Sequence, residues 1–239
     1  MKKEKIGAIL LVLILTAGFI TLSGCVEEED EEIIGIQSTR SEIMIFWDPS
    51  DSFSNEIIAM HNIYETLLRY DPLEDELEGV LAEDWSSSED GLTWTFELKE
   101  GVEFHTGGEM TAEDVKFSIE RTIDRGRGAS FIWGPLEEIE IVDDYTVRFN
   151  LNEPAPIDLI AASSYGSFIF SKQQADEVDD LHEWFNDENS AGTGPYVPES
   201  WEREERLVMT RFDDYWQGWD SDEKKFDRVV IRNIPEATT

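Results

Sequence analysis

Three histidines and one cysteine are the residues of this 239-residue chain best suited to hold a transition metal or to act as base or nucleophile. His61, His105, His182 and Cys25 each stand alone, with no second ligand at a usable spacing. A zinc site needs three or four such groups converging on one ion. His61 therefore reads as a surface or packing residue, and neither a metal nor a cofactor is expected. Carboxylates are abundant, and Asp143-Asp144 or Asp213-Asp214 could be imagined as acid and base. That work needs two environments that drive the pKa values apart across a cleft, whereas both pairs read as solvated turns. The sequence has no Gly-x-Ser-x-Gly elbow, phosphate loop or His-Glu-x-x-His. Catalysis is not expected.

The charge narrows the partners. With 19 basic and 54 acidic residues the net charge is −35, a field that repels nucleic acid and anionic lipid surfaces. Nucleic acid is excluded as a partner. Adaptation to high salt or to a cationic ligand is one reading of the acidity, and a generally solvated acidic surface is the other. At the N-terminus Lys2, Lys3 and Lys5 precede the apolar run Ile6 to Leu22 and the small residues Ser23 and Gly24. A positive start, an apolar middle and small residues describe an export signal over 1–24. Leu22-Ser23-Gly24-Cys25 is similar to the cleavage and lipidation site of exported lipoproteins, which makes Cys25 the expected anchor. Residues 25–32 then form an acidic tether, extended by like-charge repulsion, and the bulk of the chain lies outside the cytoplasmic membrane.

The elements beyond the tether mix helix and strand. "EIIGIQ" suits a buried strand. Ile57, Met60, Ile63, Tyr64, Leu67 and Leu68 recur every three or four residues, so "NEIIAMHNIYETLLRY" reads as one amphipathic helix stopped at Asp71-Pro72. Leu92, Trp94, Phe96 and Leu98 alternate with polar residues as a half-buried strand. Thr111 to Asp114 is a short capping box opening a helix with Val115 and Ile119 on one side, ended by "RGRG". Leu136–Val142 and "YTVRFNL" form a strand pair across Asp143-Asp144. Phe226 to Ile234 reads as a further buried strand. The fold class is mixed α/β, of the α+β kind.

"LAEDWSSSEDGLTWTFELKEGVEFHTGGEMTAEDVKFSIERT", with "NIYETLLRYDP" upstream and "AGTGPYVPESWEREERLVMTRFDDYWQG" downstream, resembles the family 5 extracellular solute-binding proteins, the peptide, dipeptide and nickel receptors of ABC transporters. The similarity runs over nearly the whole chain after the tether. It implies a type II periplasmic-binding-protein clamshell, of which this chain is the first lobe with an inserted subdomain and the second lobe is absent. Residues 33–62 and 153–239 would form the cleft subdomain and 63–152 the insert. The implied role is a membrane-anchored solute-binding subunit at the extracellular face of the cytoplasmic membrane, periplasmic if an outer membrane exists. Its implied partners are a small-molecule or peptide ligand, ABC permease subunits and a separately encoded second lobe. A cell-surface lipoprotein outside transport, or an inactive gene fragment, is the alternative.

The resemblance also implies a ligand wall. The loop Ser52-Phe53-Ser54, the segment holding Phe131 and Trp133, and Ser164-Tyr165 would approach the solute, rings giving broad apolar contact and hydroxyls directional bonds. Core packing is the competing role for Phe131 and Trp133, and a helix-entry staple for Phe53. Trp47 replaces a smaller residue of the family pattern and would reshape the pocket entrance. Gly192 to Tyr196, "GTGPY", reads as a structural turn.

Overall fold

A computed structural model describes residues 33–39, 44, 46–219 and 225–234. The expected signal, Cys25 and the tether lie outside the described residues. In chain order the elements are β1 (Ile34–Thr39), α1 (Ile57–Ile63), β2 (Leu68–Asp71), β3 (Glu76–Gly79), β4 (Ala82–Ser87), β5 (Thr93–Leu98) and α2 (Ala112–Arg125). A 3-10 turn at Ser130–Trp133 leads to β6 (Leu136–Asp143), β7 (Thr146–Leu151), α3 (Ile157–Ala161), α4 (Lys172–Glu177), α5 (Leu181–Asn186), β8 (Tyr196–Glu202), β9 (Arg206–Arg211) and β10 (Arg228–Asn233). One four-stranded sheet runs β4-β5-β7-β6, all antiparallel. The other runs β1-β10-β9-β8, with β1 parallel to β10. β2 and β3 make a separate hairpin.

Each large sheet carries its own apolar core. Alternation along β5 and β7 puts Phe96, Leu98, Val147, Phe149 and Leu151 on one face. Val115 and Ile119 of α2 close over that layer, and Phe96, Phe149 and Trp133 meet ring to ring at 5.2 and 5.7 Å. The second core gathers Met60, Ile63, Tyr64, Phe168, Phe170, Phe185, Leu207 and Ile231.

The helix expected over 55–70 ends at Ile63. Tyr64 takes an extended backbone, Glu65 bridges to Ile169, and Leu68 is already paired in β2. Met60, Ile63 and Tyr64 belong to the second core, while Leu67 and Leu68 belong to the first. The apparent helical period is thus two half-patterns laid end to end where the chain crosses between cores. β1 departs from expectation too: it is an edge strand, and Ile36 is 66% exposed. β10 is central in its sheet, yet only Ile231 is buried; Arg232 is exposed and the other four residues are half-buried. Trp47 lies in the second core, edge-on to Trp201 at 5.6 Å, and so does not shape a pocket entrance.

The other local readings match. Asp114 Oδ2 accepts from the Thr111 N–H at 2.8 Å and from its hydroxyl at 3.1 Å, closing the N-terminus of α2. Gly126, in the left-handed region, ends the helix. Gly192 and Gly194 run against the end of α1, where a Cβ would stand 2.1 Å from the Ile63 carbonyl and 2.6 Å from that of Asn62. Only glycine allows that approach, so the "GTGPY" turn is structural.

Candidate functional site

Three loops meet at one end of the second core. The first, Asp48 to Glu56, leads into α1; its Phe53 and Ser54 N–H groups donate to Glu56 Oε1 at 2.6 and 2.8 Å. The second follows α2, and at Gly128 a Cβ would lie 2.9 Å from the Ser52 carbonyl. The third, Ser163 to Ser167, touches both. The Tyr165 hydroxyl donates to the Ser54 carbonyl at 3.3 Å, its ring lies 6.2 Å from that of Phe53, and Gly166 packs on Ala129.

The seven expected wall residues divide. Phe53 is 57% exposed and Phe131 71% exposed, so both present rings to solvent. Ser54, Ser164 and Tyr165 are half-buried between the loops, and Ser164 Oγ lies 3.3 Å from His61 Nδ1. Ser52 is buried with a hydroxyl that has no hydrogen-bond partner. Trp133 is a core residue: it is buried, and its indole N–H donates to the Gly166 carbonyl at 2.7 Å, leaving no ring face for a solute. Its contribution is to hold the third loop.

Two polar networks support these loops, and neither was visible as a motif. Asp48 and Asp51 are buried. Arg121 reaches both oxygens of Asp48 at 2.7 and 2.6 Å, and Arg125 both oxygens of Asp51 at 2.6 and 2.5 Å. His182, far from isolated, has Nδ1 2.9 Å from Asp48 Oδ2. Burial pushes the Asp48 carboxyl up, but the hydrogen bonds of Arg121 and His182 and the charges of Arg121 and Arg125 outweigh it and hold it below the usual carboxylate range. Asp48, Asp51 and His182 bring ligand-type atoms within 4.8 Å of one another. Two guanidiniums already occupy those carboxylates, so a metal ion would enter against two fixed positive charges.

Glu65 centres the second network. Its Oε1 accepts from the Tyr215 hydroxyl, and its Oε2 from the Trp216 indole N–H and the Thr193 hydroxyl, all at 2.8 Å. Burial raises its pKa, against these three bonds and the charge of Lys99. It borders a cavity of about 170 Å³ also lined by His61, Ser164, Phe168 and Tyr215. Nearby, His105 Nε2–H donates to the Gly194 carbonyl at 2.7 Å, and Nδ1 faces the Ser190 hydroxyl at 3.0 Å. Burial pulls this imidazole down to about 4, so it is neutral at physiological pH.

Residues 76–239 match the family described as bacterial extracellular solute-binding proteins, family 5 middle. The chain belongs to this family. It is 29% identical to the probable D,D-dipeptide-binding periplasmic protein DdpA of Escherichia coli K12, an alignment covering 96% of this chain and 44% of that protein. It is 32% identical to heme-binding protein A of Haemophilus influenzae, over 76% of this chain and 36% of that one. The periplasmic binding protein DppA of Helicobacter pylori, solved with the peptide STSA, superposes with a TM-score of 0.69 at 30% identity, over 85% of this chain and 43% of that one. This family member therefore spans less than half the length of these relatives. Its fold is that of part of a type II periplasmic binding protein. Among the described residues no helix is long and apolar enough to cross a membrane.

Proposed function

We propose that this chain supplies one wall of the solute cleft of an ABC importer's receptor, for a peptide or a similar small solute. The observation that carries this reading is the convergence of the three loops, which leaves Phe53 exposed against Tyr165 and Phe131 exposed on the loop packed beside them. Large exposed rings next to hydroxyls suit a ligand held by apolar contact and read through its backbone. Residues 33–62 and 153–239 form the cleft subdomain and 63–152 the insert; each sheet's own core supports the division in outline, while Ile157, Ala161 and Ile169 pack in the first core and Ile63 and Tyr64 in the second. The chain is exported by residues 1–24 and anchored through Cys25 at the outer face of the cytoplasmic membrane, where it serves permease subunits.

A second lobe supplies the opposite wall. Solute pockets bury most of a small ligand, and closure of two lobes provides the second set of contacts. For a ligand bound at about 8 kcal/mol, losing half the contacts leaves roughly 4 kcal/mol, a millimolar affinity. Titrating the labelled chain with the peptide Ser-Thr-Ser-Ala to about 10 mM should shift amide signals at 52–54, 131 and 164–165. Shifts confined to other surfaces, or none at that concentration, would remove the reading.

A further inference from the structure

One helix faces both cores, and its second face is polar. Asp114, Ser118, Arg121 and Arg125 fall at spacings of four, three and four along α2, a single stripe opposite Val115 and Ile119. Every member is engaged. Asp114 Oδ1 accepts from the Lys172 N–H at 2.8 Å, and Ser118 Oγ both donates to and accepts from the Phe170 backbone at 3.0 Å. Arg121 also donates to Ser50 Oγ at 2.7 Å and lies over the rings of Phe170 and Phe185 at 5.6 and 5.7 Å. The stripe ends on the loop Asp48–Asp51, immediately before Ser52-Phe53-Ser54.

We infer that Arg121 and Arg125 are positioning residues that fix the ligand-facing loop 52–54 from the opposite core, so that the inserted subdomain sets the shape of a wall belonging to the cleft subdomain. The inference rests on reading that loop as part of the solute wall. Asp48 and Asp51 are both buried, and a carboxylate stripped of its partner cannot stay charged there without water. The loop can recover hydration only by swinging outward. Gly128, where a Cβ would stand 2.9 and 3.0 Å from the carbonyl oxygens of Ser52 and Asp51, then loses its seat. Both forks are two-pronged, a geometry that lysine, with one compact charge, cannot reproduce. His182 and the exposed Arg127, 3.8 Å from Asp51, are the other basic side chains facing the two carboxylates.

Hydrogen exchange without ligand reads this directly. The Phe53 and Ser54 amides are held by Glu56 Oε1. In Arg125→Lys these two amides should exchange about tenfold faster or more, while the sheet β4-β5-β7-β6 keeps its protection. Should Arg125→Lys fold poorly, Asp51→Asn sets an amide N–H2 against the Arg125 fork, leaves the part-exposed guanidinium to turn to water, and should give the same local loss. Unchanged exchange at 53 and 54, or an equal rise across the whole sheet, would overturn the positioning role. The same samples titrated with Ser-Thr-Ser-Ala separate the two ideas. Accelerated exchange with no peptide response in the unmodified chain would sink the solute-wall reading and leave the positioning intact. A peptide response with unaltered exchange would do the reverse.

Discussion

Replacing Glu65 by alanine removes one acceptor group from three donors at once. The Trp216 indole N–H, the Thr193 hydroxyl and the Tyr215 hydroxyl each lie 2.8 Å from its carboxylate. Hydrogen bonds to a charged group contribute about 1.5–3 kcal/mol each, but the freed hydroxyls recover part of this by turning to other acceptors or water. The indole has no such freedom. A net loss of about 3–5 kcal/mol follows, on the order of 10 °C in melting temperature for a chain of this size. Glu65→Gln keeps one carbonyl for Trp216 and Thr193 and sets its amide against the rotatable Tyr215 hydroxyl, at a cost of about 1 kcal/mol. The two variants also differ from the parent in their response to pH. Because burial raises the Glu65 pKa above 4.5, the folded chain binds that proton more tightly than the unfolded one. The associated stability is fully present below 4.5 and is lost as pH rises through the raised folded value. Guanidinium unfolding between pH about 5 and about 8, at constant salt, should therefore show the parent's advantage over Glu65→Gln shrinking as pH climbs. An alanine variant within about 0.5 kcal/mol of the parent, or an advantage that widens with pH, would refute the account of Glu65 as a half-buried three-way acceptor.

Two further outcomes test other parts of the reading. His105 is half-buried and shielded from water, so its signals should titrate near pH 4 in the folded chain; the stability it contributes is present above its ordinary value of 6.5 and drains away as pH falls from there to about 4. Titration of this imidazole near 6.5 would contradict the burial. Cells fed a labelled fatty acid should tag the parent chain and leave Cys25→Ala untagged, and equal labelling would remove the anchor.

Local chemistry was legible where one residue type does one job. The capping box at Thr111, the stop at Gly126, the alternation of β5 and β7 and the close-packed glycines of "GTGPY" follow from short-range sterics and hydrogen bonding. What misled was apolar periodicity serving two masters. Tyr64 and Leu67 feed different cores, yet together they imitate one helix. The loop residues of the candidate wall carried no pattern of their own and came from family resemblance. The structure leaves Phe131 on the surface and puts Trp133, two residues on, inside, a distinction set by a 3-10 turn that composition does not encode. The buried carboxylates were hidden among 54 acidic residues. Their signal lay in the partner helix, where Arg121 and Arg125 continue the spacing begun by Asp114 and Ser118.

That two-faced helix constrains motion. An apolar contact between two packed layers can slide by fractions of an ångström with little penalty, because dispersion has no preferred direction. The far side of α2 offers no such lubrication: its forks and reciprocal bonds lose their partners after a small shift in either sense. The two sheets are therefore locked together at this seam, which resists sliding in a way that an apolar seam would not.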